Sequence, residues 1–323
     1  MRGVISEKLQ DFIEQANSAA KQAKVDGVQY TPALVRENIE KLAVFIGQGP
    51  ELAYVEESAL VMPSLNHSPS HSIGVRIYSP APEQALPVVL HYHGGGHLCG
   101  NIALYDAISR KIAKAGHCVV IAVEYRLAPE FPYPAGIDDC QYALEHYQTL
   151  LTQVNYNQQL IIAGDSGGGA ICTTLASNNI GNPNVNIDKQ ILIYPSVDYT
   201  MSSNSIDENG SGFLLEREKI VWYFKQYFQH NESYQLVSPL FMPMDASMPE
   251  TLIFTAGCDP LRDEGIAYGQ ALSKLGVKVE QHSFDGMIHA YMLLDSLVAK
   301  ECEQTYQLIG EFISRSRTEV QPT

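Results

Sequence analysis

Strand-like segments alternate with helix-like segments after His93, and this alternation constrains the fold more than any other feature of the sequence. The strand-like segments are CVVIAVEYR, QLIIAGDS, QILIYPSV, TLIFTAGCD and VKVEQHSFDG. The helix-like segments between and after them cover residues 103–115, 135–151, 168–178, 263–275 and 291–314. Apolar strands separated by helices are typical of a parallel sheet that is covered on both faces. The predicted fold class is therefore α/β, with a mostly parallel central sheet.

Two parts of the chain depart from this alternation. The first contains two amphipathic helix patterns, one of them around Leu9 and Ile13. The second begins with a Ser- and Asn-rich run and continues into LLEREKIVWYFKQYFQHN, which is longer than a connection between strands needs. We interpret both as a helical cap over the carboxyl ends of the strands, with ordinary packing against the sheet as the alternative. The predicted divisions are N-terminal cap helices (1–50), a first core part (51–197), the cap insertion (198–248) and a second core part (249–323).

The sharpest motif is Gly164-Asp165-Ser166-Gly167-Gly168, which follows the strand-like QLIIA and precedes the helix-like AICTTLAS. Glycines around a serine in this context permit a tight strand-to-helix turn that exposes the hydroxyl at a helix N-terminus. Ser166 is therefore the predicted nucleophile. We expect Asp165 to orient this turn or a neighbouring loop.

A second motif, His93-Gly94-Gly95-Gly96, ends the strand-like VVLHY. Ester hydrolysis passes through a tetrahedral oxyanion, and residues without side chains let backbone N–H groups approach it. The predicted donors are Gly94 and Gly95, together with Gly167 after the nucleophile. We expect His93 to brace this loop by hydrogen bonding, whereas a simple flexible turn is the alternative.

A serine nucleophile needs a base, and the base needs a partner that selects its tautomer. In the order nucleophile, acid, histidine, the chain offers Asp259 after TLIFTAGC and His289 after VEQHSFDG. We predict these two as acid and base. Asp263 and Asp285 are alternative acids, and Asp263 is also placed to cap a helix.

Charge and composition exclude several function classes. The net charge of −15 disfavours nucleic acid and anionic membranes as partners. The sequence has no apolar stretch of membrane-helix length and its start lacks a signal-peptide core, so a cytoplasmic location is expected.

The cysteines are scattered singly, which favours free buried thiols. The pattern formed by His91, His93 and His97 resembles a metal site, but the glycine loop separates the last histidine, and neither metal nor cofactor is predicted.

Several motifs together resemble one family. The motifs are HGGG, EYRLAPE with FPYPA, GDSGGG, DPLRDE and DGMIHAY, in this order from about Ser72 to near the C-terminus. They resemble the hormone-sensitive-lipase-like family of α/β-hydrolase esterases, particularly its bacterial acetyl-esterase and carboxylesterase members. The resemblance implies an α/β-hydrolase fold with a cap, and a homodimer in many relatives. It also implies a triad and oxyanion donors at Ser166, Asp259, His289, Gly94, Gly95 and Gly167.

The sequence departs from the family pattern at a few positions. Gly167 stands where relatives usually carry alanine, and Ala290 replaces a common glycine after the histidine. His97 follows the glycines where many relatives have an aromatic residue, which makes that pocket wall more polar. None of these changes removes a catalytic group.

The function expected from the residues and the resemblance is hydrolysis of small-molecule carboxylic esters through an acyl-enzyme, without a cofactor. Short- to medium-chain esters are expected from the resemblance alone. An amidase or a small-molecule deacetylase would use the same site, so the sequence does not separate these activities. A non-catalytic binding protein on the hydrolase scaffold, like the plant hormone receptor of this family, is the third alternative, but it tends to lack the histidine that is present here at position 289.

Overall fold

The strand-like segments form an eight-stranded sheet in the computed structural model, which describes residues 1–64 and 69–315. The strands are β1 Tyr54–Met62, β2 His71–Ser79, β3 Leu86–Tyr92, β4 Val119–Glu124, β5 Tyr156–Asp165, β6 Lys189–Ile193, β7 Glu250–Ala256 and β8 Val279–Phe284. Their spatial order is β1-β2-β4-β3-β5-β6-β7-β8. Strand β2 is antiparallel to both neighbours, and each pair from β4 to β8 is parallel. The prediction of a mostly parallel α/β sheet is confirmed.

The helices follow the predicted alternation with shifted ends. They are α1 Glu7–Val25, α2 Pro32–Glu40, α3 Ala43–Ile46, α4 Asp106–Gly116, α5 Ala135–His146, α6 Gly167–Asn178, α7 Asn204–Asn209, α8 Arg217–Tyr227, α9 Tyr234–Val237, α10 Arg262–Lys274 and α11 Ala299–Ser314. The last helix begins later than the predicted residue 291. The reason is that Ala290 has a left-handed φ of 63°, and a separate 3-10 turn over Tyr291–Leu294 precedes the helix. Residues 65–68 and 316–323 of the predicted core divisions lie outside the described residues.

Two apolar layers cover the sheet. On one face, Ile112 of α4 and Ile309 of α11 belong to a cluster with Val89 of β3. On the other face, Leu175 of α6 belongs to a cluster with Leu90 of the same strand. Consecutive strand residues point to opposite faces, so apolar side chains are buried on both faces of the sheet. Burying each large apolar side chain stabilises the fold by roughly 1.5–3 kcal/mol. This double covering explains why the central strands contain continuous apolar runs.

The insertion between β6 and β7 lies at the carboxyl ends of the strands. Aromatic side chains of α8, such as Phe224 and Tyr227, pack in one cluster with Ala128, which follows β4, and Leu261, which follows β7. Leu9 of α1 is fully buried in the apolar cluster that also contains Ile112 of α4 and Ile309 of α11. The insertion therefore packs against the loops after β4 and β7, and the N-terminal segment contacts the loop after β8, where the Ser6 amide donates to the Gly286 carbonyl at 2.9 Å.

The described residues also bear on the membrane and thiol expectations. None of the helices in residues 1–64 and 69–315 is both long and apolar enough to cross a bilayer. All six cysteines lie in these ranges, where they are buried and unpaired.

Candidate active site

Ser166 lies between the end of β5 and the start of α6, where the backbone turns sharply. Its φ of 51° and ψ of −117° are unfavourable for a residue with a side chain, a strain of roughly 1–3 kcal/mol. The Ser166 amide donates to the Ile193 carbonyl at 2.9 Å, and its carbonyl accepts from the Ala170 amide at 3.1 Å. A Cβ atom on Gly168 would overlap the Tyr92 carbonyl oxygen, so only glycine lets α6 approach β3 here. The turn presents the serine hydroxyl to the loops that follow β7 and β8.

The serine, histidine and aspartate predicted from sequence form one hydrogen-bonded chain. The Ser166 hydroxyl is 2.8 Å from Nε2 of His289, and Nδ1 of the same ring is 2.8 Å from Oδ2 of Asp259. Asp259 is fully buried, and its other oxygen accepts from the Leu261 amide at 2.8 Å. A carboxylate at Nδ1 selects the tautomer that leaves Nε2 free to accept the serine proton. This geometry would let the imidazole accept the serine proton.

The two alternative acids have other partners. Asp263 accepts from the Ser205 amide at 3.0 Å and from Nε of Arg262 at 2.7 Å. Asp285 accepts from the Ser283 hydroxyl at 3.0 Å. Of the three carboxylates weighed from the sequence, Asp259 is the one that lies against the histidine.

Asn209 supports the turn that carries the acid. This fully buried residue ends α7, and its Nδ2 donates to the carbonyl oxygens of Gly257 and Asp259, each at 3.1 Å. Its Oδ1 accepts from the Gly3 amide at 2.9 Å. Sequence reasoning missed Asn209 because one asparagine in a polar run carries no signal of a distant partner.

The glycine loop after β3 approaches the nucleophile turn. Gly95 and Gly96 have φ values of 121° and 60°, which side chains rarely adopt. A Cβ atom on Gly167 would lie 3.1 Å from the Gly96 amide nitrogen, whereas one on Gly94 would lie 2.8 Å from the carboxyl carbon of Asp165. Gly94 therefore faces the aspartate, and Gly96 lies closest to the residue after the nucleophile. Sequence reasoning left Gly96 out of the donor set, although the third glycine of the motif was a signal for it.

The buried side chains of His93 and Asp165 contact the first glycine of this loop. The Nδ1 atom of His93 donates to the Gly94 carbonyl at 2.8 Å, and its ring stacks on Tyr125 at 4.4 Å. Burial lowers the pKa of His93 to about 4, so the imidazole is neutral at physiological pH. Asp165 accepts from the Tyr105 hydroxyl at 3.0 Å, and burial raises its pKa to about 6. Both side chains are buried and lie against the same glycine.

The three histidines of the metal-like pattern have separate surroundings. Nδ1 of His91 lies 2.9 Å from the Ser109 hydroxyl, on the side of α4, while His93 binds the glycine loop. Burial lowers the pKa of His91 to about 3 and that of His97 to about 3. Within the described ranges, no group of three or more His, Cys, Asp or Glu side chains is arranged to hold a metal ion.

Aromatic side chains of the insertion enclose the glycine loop. The ring of His97 stacks on Tyr227 with centroids 4.0 Å apart, and its Nε2 lies 3.4 Å from the Tyr199 hydroxyl. The ring of Tyr223 covers Gly96, since a Cβ atom there would lie 2.8 Å from a ring carbon. These rings limit the space beside the predicted oxyanion donors.

Comparisons with known proteins agree with this geometry. The model of a family described as alpha/beta hydrolase fold matches residues 89–293, which include every predicted site residue. Esterase LipI of Mycobacterium tuberculosis is 36% identical over 73% of this chain and 76% of its own length. Ethyl acetate hydrolase of Pseudomonas putida is 30% identical over 94% of this chain and 96% of its own. An ester hydrolase from the Lake Arreo metagenome, solved with a bipyridine phosphonate derivative, superposes with a TM-score of 0.85 at 28% identity, covering 97% of this chain and all of the other.

Proposed function

This chain belongs to the hormone-sensitive-lipase-like family of α/β-hydrolase esterases and is a carboxylic ester hydrolase, and we propose that it acts through an acyl-enzyme on Ser166. The observation that carries the proposal is the hydrogen-bonded chain from Ser166 through His289 to Asp259, with both distances at 2.8 Å. The burial of the acid and its tautomer-selecting contact support the assignment of roles. No other described carboxylate weighed from the sequence contacts this imidazole.

In the proposed mechanism, Oγ of Ser166 attacks the ester carbonyl carbon while its proton passes to Nε2 of His289. The carbonyl electron pair moves onto oxygen and forms the tetrahedral oxyanion. When the intermediate collapses, the bond to the alcohol oxygen breaks and the histidine returns the proton to it. Water then repeats the two steps on the acyl-enzyme and releases the carboxylic acid. Asp259 keeps the imidazole oriented and stabilises its positive charge in each transition state.

Backbone amides stabilise the oxyanion in this proposal. Of the donors predicted from the sequence we keep Gly95 and Gly167, add Gly96 because its amide lies beside Gly167, and leave out Gly94 because its amide hydrogen-bonds to Asp165. Each donor of this kind typically contributes about 10²–10³ in turnover. His93 and Asp165 would act indirectly, by holding the first glycine of the loop.

We further propose that the N-terminal helices and residues 198–248 form a cap over this site and restrict the acyl group to short or medium chains. Support for the short chain comes from Tyr223 over Gly96 and from the stack of His97 on Tyr227, which occupy space next to the donors. The P. putida relative is named ethyl acetate hydrolase, and ethyl acetate is an ester with a short acyl group.

A series of p-nitrophenyl esters from acetate to palmitate tests the proposal. The highest kcat/KM is expected at octanoate or a shorter chain. Ser166→Ala should lower turnover by at least about 10³ and abolish labelling by a fluorophosphonate, because the nucleophile is lost. Ser247→Ala, an exposed serine of the insertion, is the matched control and should keep both. A maximum on long chains, or labelling that survives in Ser166→Ala, would contradict the proposal.

A further inference from the structure

Arg36 of the N-terminal helix α2 reaches the segment that follows the glycine loop. Its Nε donates to the Leu98 carbonyl at 2.9 Å and its Nη2 donates to the Ala128 carbonyl at 2.9 Å. The same guanidinium pairs with the Glu130 carboxylate through two bonds, at 2.9 and 2.5 Å. One side chain therefore connects α2, the glycine loop and the loop after β4.

The carbonyl that Arg36 holds belongs to the turn that shapes the oxyanion loop. The Leu98 and Cys99 amides both donate to the Gly95 carbonyl, at 3.1 Å each. The Ala128 amide donates to the His97 carbonyl at 2.9 Å, so residues 97 and 98 are tied to the Ala128 segment by the backbone and by Arg36 together. The Gly95 carbonyl shares its peptide group with the Gly96 amide, so a displacement of the Leu98 peptide would rotate this amide.

The guanidinium suits this task for a chemical reason. It is planar and carries five N–H donors in a rigid fork, so it can satisfy two carbonyls and a carboxylate at once in a single orientation. A lysine ammonium is a point charge on a flexible stem and cannot hold three acceptors in one plane. The Arg36 side chain is 35% exposed; its bonds to the two carbonyls are partly buried, and those to Glu130 are exposed.

We propose that Arg36 is a positioning residue for the oxyanion hole. It acts through the Leu98 carbonyl and fixes the direction in which the Gly96 amide points. The inference rests on the proposed function and goes beyond it. It makes a residue of an N-terminal helix, 62 positions before Leu98, part of the geometry that stabilises the transition state.

The test compares Arg36→Ala and Arg36→Lys with the wild type on p-nitrophenyl acetate, with rates normalised to sites titrated by a fluorophosphonate. The matched control is Lys8→Ala, which removes the ion pair of another N-terminal helix with Glu301. The Arg36 variants should lose about ten- to a hundredfold in kcat with little change in KM, because misplaced donors affect the transition state. The control should keep the wild-type rate.

A trifluoromethyl ketone provides the readout that a merely structural role would not change. The Ser166 hydroxyl adds to the ketone carbon, its proton passes to His289, and the former carbonyl oxygen becomes an oxyanion in the hole. The inhibition constant should therefore rise in proportion to the loss of kcat. Guanidinium chloride, at concentrations that leave the wild type unchanged, should restore part of the rate of Arg36→Ala but not of Arg36→Lys.

Some results would overturn the inference. One is that both Arg36 variants melt at a lower temperature but keep the wild-type kcat per titrated site and the wild-type affinity for the ketone. Another is a loss of kcat without a parallel loss of ketone affinity, or without rescue. Failure of the proposed function would look different, since Ser166→Ala would then keep the wild-type rate before any Arg36 variant is compared.

Discussion

The side-chain amide of Asn209 donates a hydrogen bond to the backbone carbonyl of Asp259 at 3.1 Å, so a residue of the insertion holds the turn that carries the acid. Because Asn209 is fully buried and uses both ends of its amide, replacing it removes the acceptor of the Gly3 amide and one of the donors to each of two carbonyls, which keep Arg262 as a partner. We expect Asn209→Ala to lose about 1–3 kcal/mol of unfolding free energy and to lower kcat more than KM. Urea denaturation and steady-state kinetics measure the two effects. The exposed Asn204→Ala, on the same helix, is the control, and equal behaviour of the two variants would contradict the role of Asn209.

The choice of acid can be tested by isosteric substitution. Asp259→Asn keeps the shape of the side chain but favours the wrong tautomer of His289, so kcat should fall by up to about 10⁴. Asp285→Asn removes a carboxylate that contacts Ser283 instead, and it should keep the wild-type rate. Kinetics on p-nitrophenyl acetate distinguish the two. A larger loss in the Asp285 variant would show that the acid has been assigned to the wrong residue.

The buried carboxyl of Asp165 makes stability depend on pH. Burial raises its pKa from 3.8 to about 6, so the protonated form is favoured in the folded state. The stabilisation associated with this proton is present at low pH and is lost as the pH rises through about 6. The difference between the two pKa values corresponds to a free energy on the order of 3 kcal/mol.

Asp165→Asn carries no charge to bury, so its unfolding free energy relative to the wild type should improve as the pH is raised from about 4 to about 7. Denaturation of both proteins across this range measures the change. A constant difference between the two proteins would mean that this carboxyl does not titrate with a raised pKa.

Removal of the ring over Gly96 should widen the acyl site. Tyr223→Ala deletes a side chain whose ring carbon would contact a Cβ atom on this glycine at 2.8 Å. We expect the ratio of kcat/KM for p-nitrophenyl octanoate to that for the acetate to rise about tenfold, since each methylene that gains apolar contact contributes about 0.8 kcal/mol. Lys225→Ala, on the exposed side of the same helix, should leave the ratio unchanged. An unchanged ratio in Tyr223→Ala would place the acyl chain elsewhere.

Much of the fold could be predicted because its signals are local. Each of the strands β4 to β7 contains a continuous apolar run, and a strand buried on both faces needs this composition whatever lies around it. The turn at Ser166 was predictable for the same reason, since the glycines that permit it are its immediate neighbours. Helix ends were less accurate: the predicted helix start at residue 291 falls on a 3-10 turn after the left-handed Ala290, and the helix begins at Ala299.

The sequence by itself determined the strand and helix alternation, the nucleophile turn and the short set of residues from which an acid, a base and oxyanion donors could come. Only the tertiary structure decided which carboxylate contacts His289, that Gly96 lies beside Gly167, and that Arg36 and Asn209 hold the site loops. The physical reason is that backbone conformation and apolar periodicity are encoded in adjacent residues. The direction of a side chain in a loop depends instead on partners that are distant in the chain and meet only after the sheet has formed.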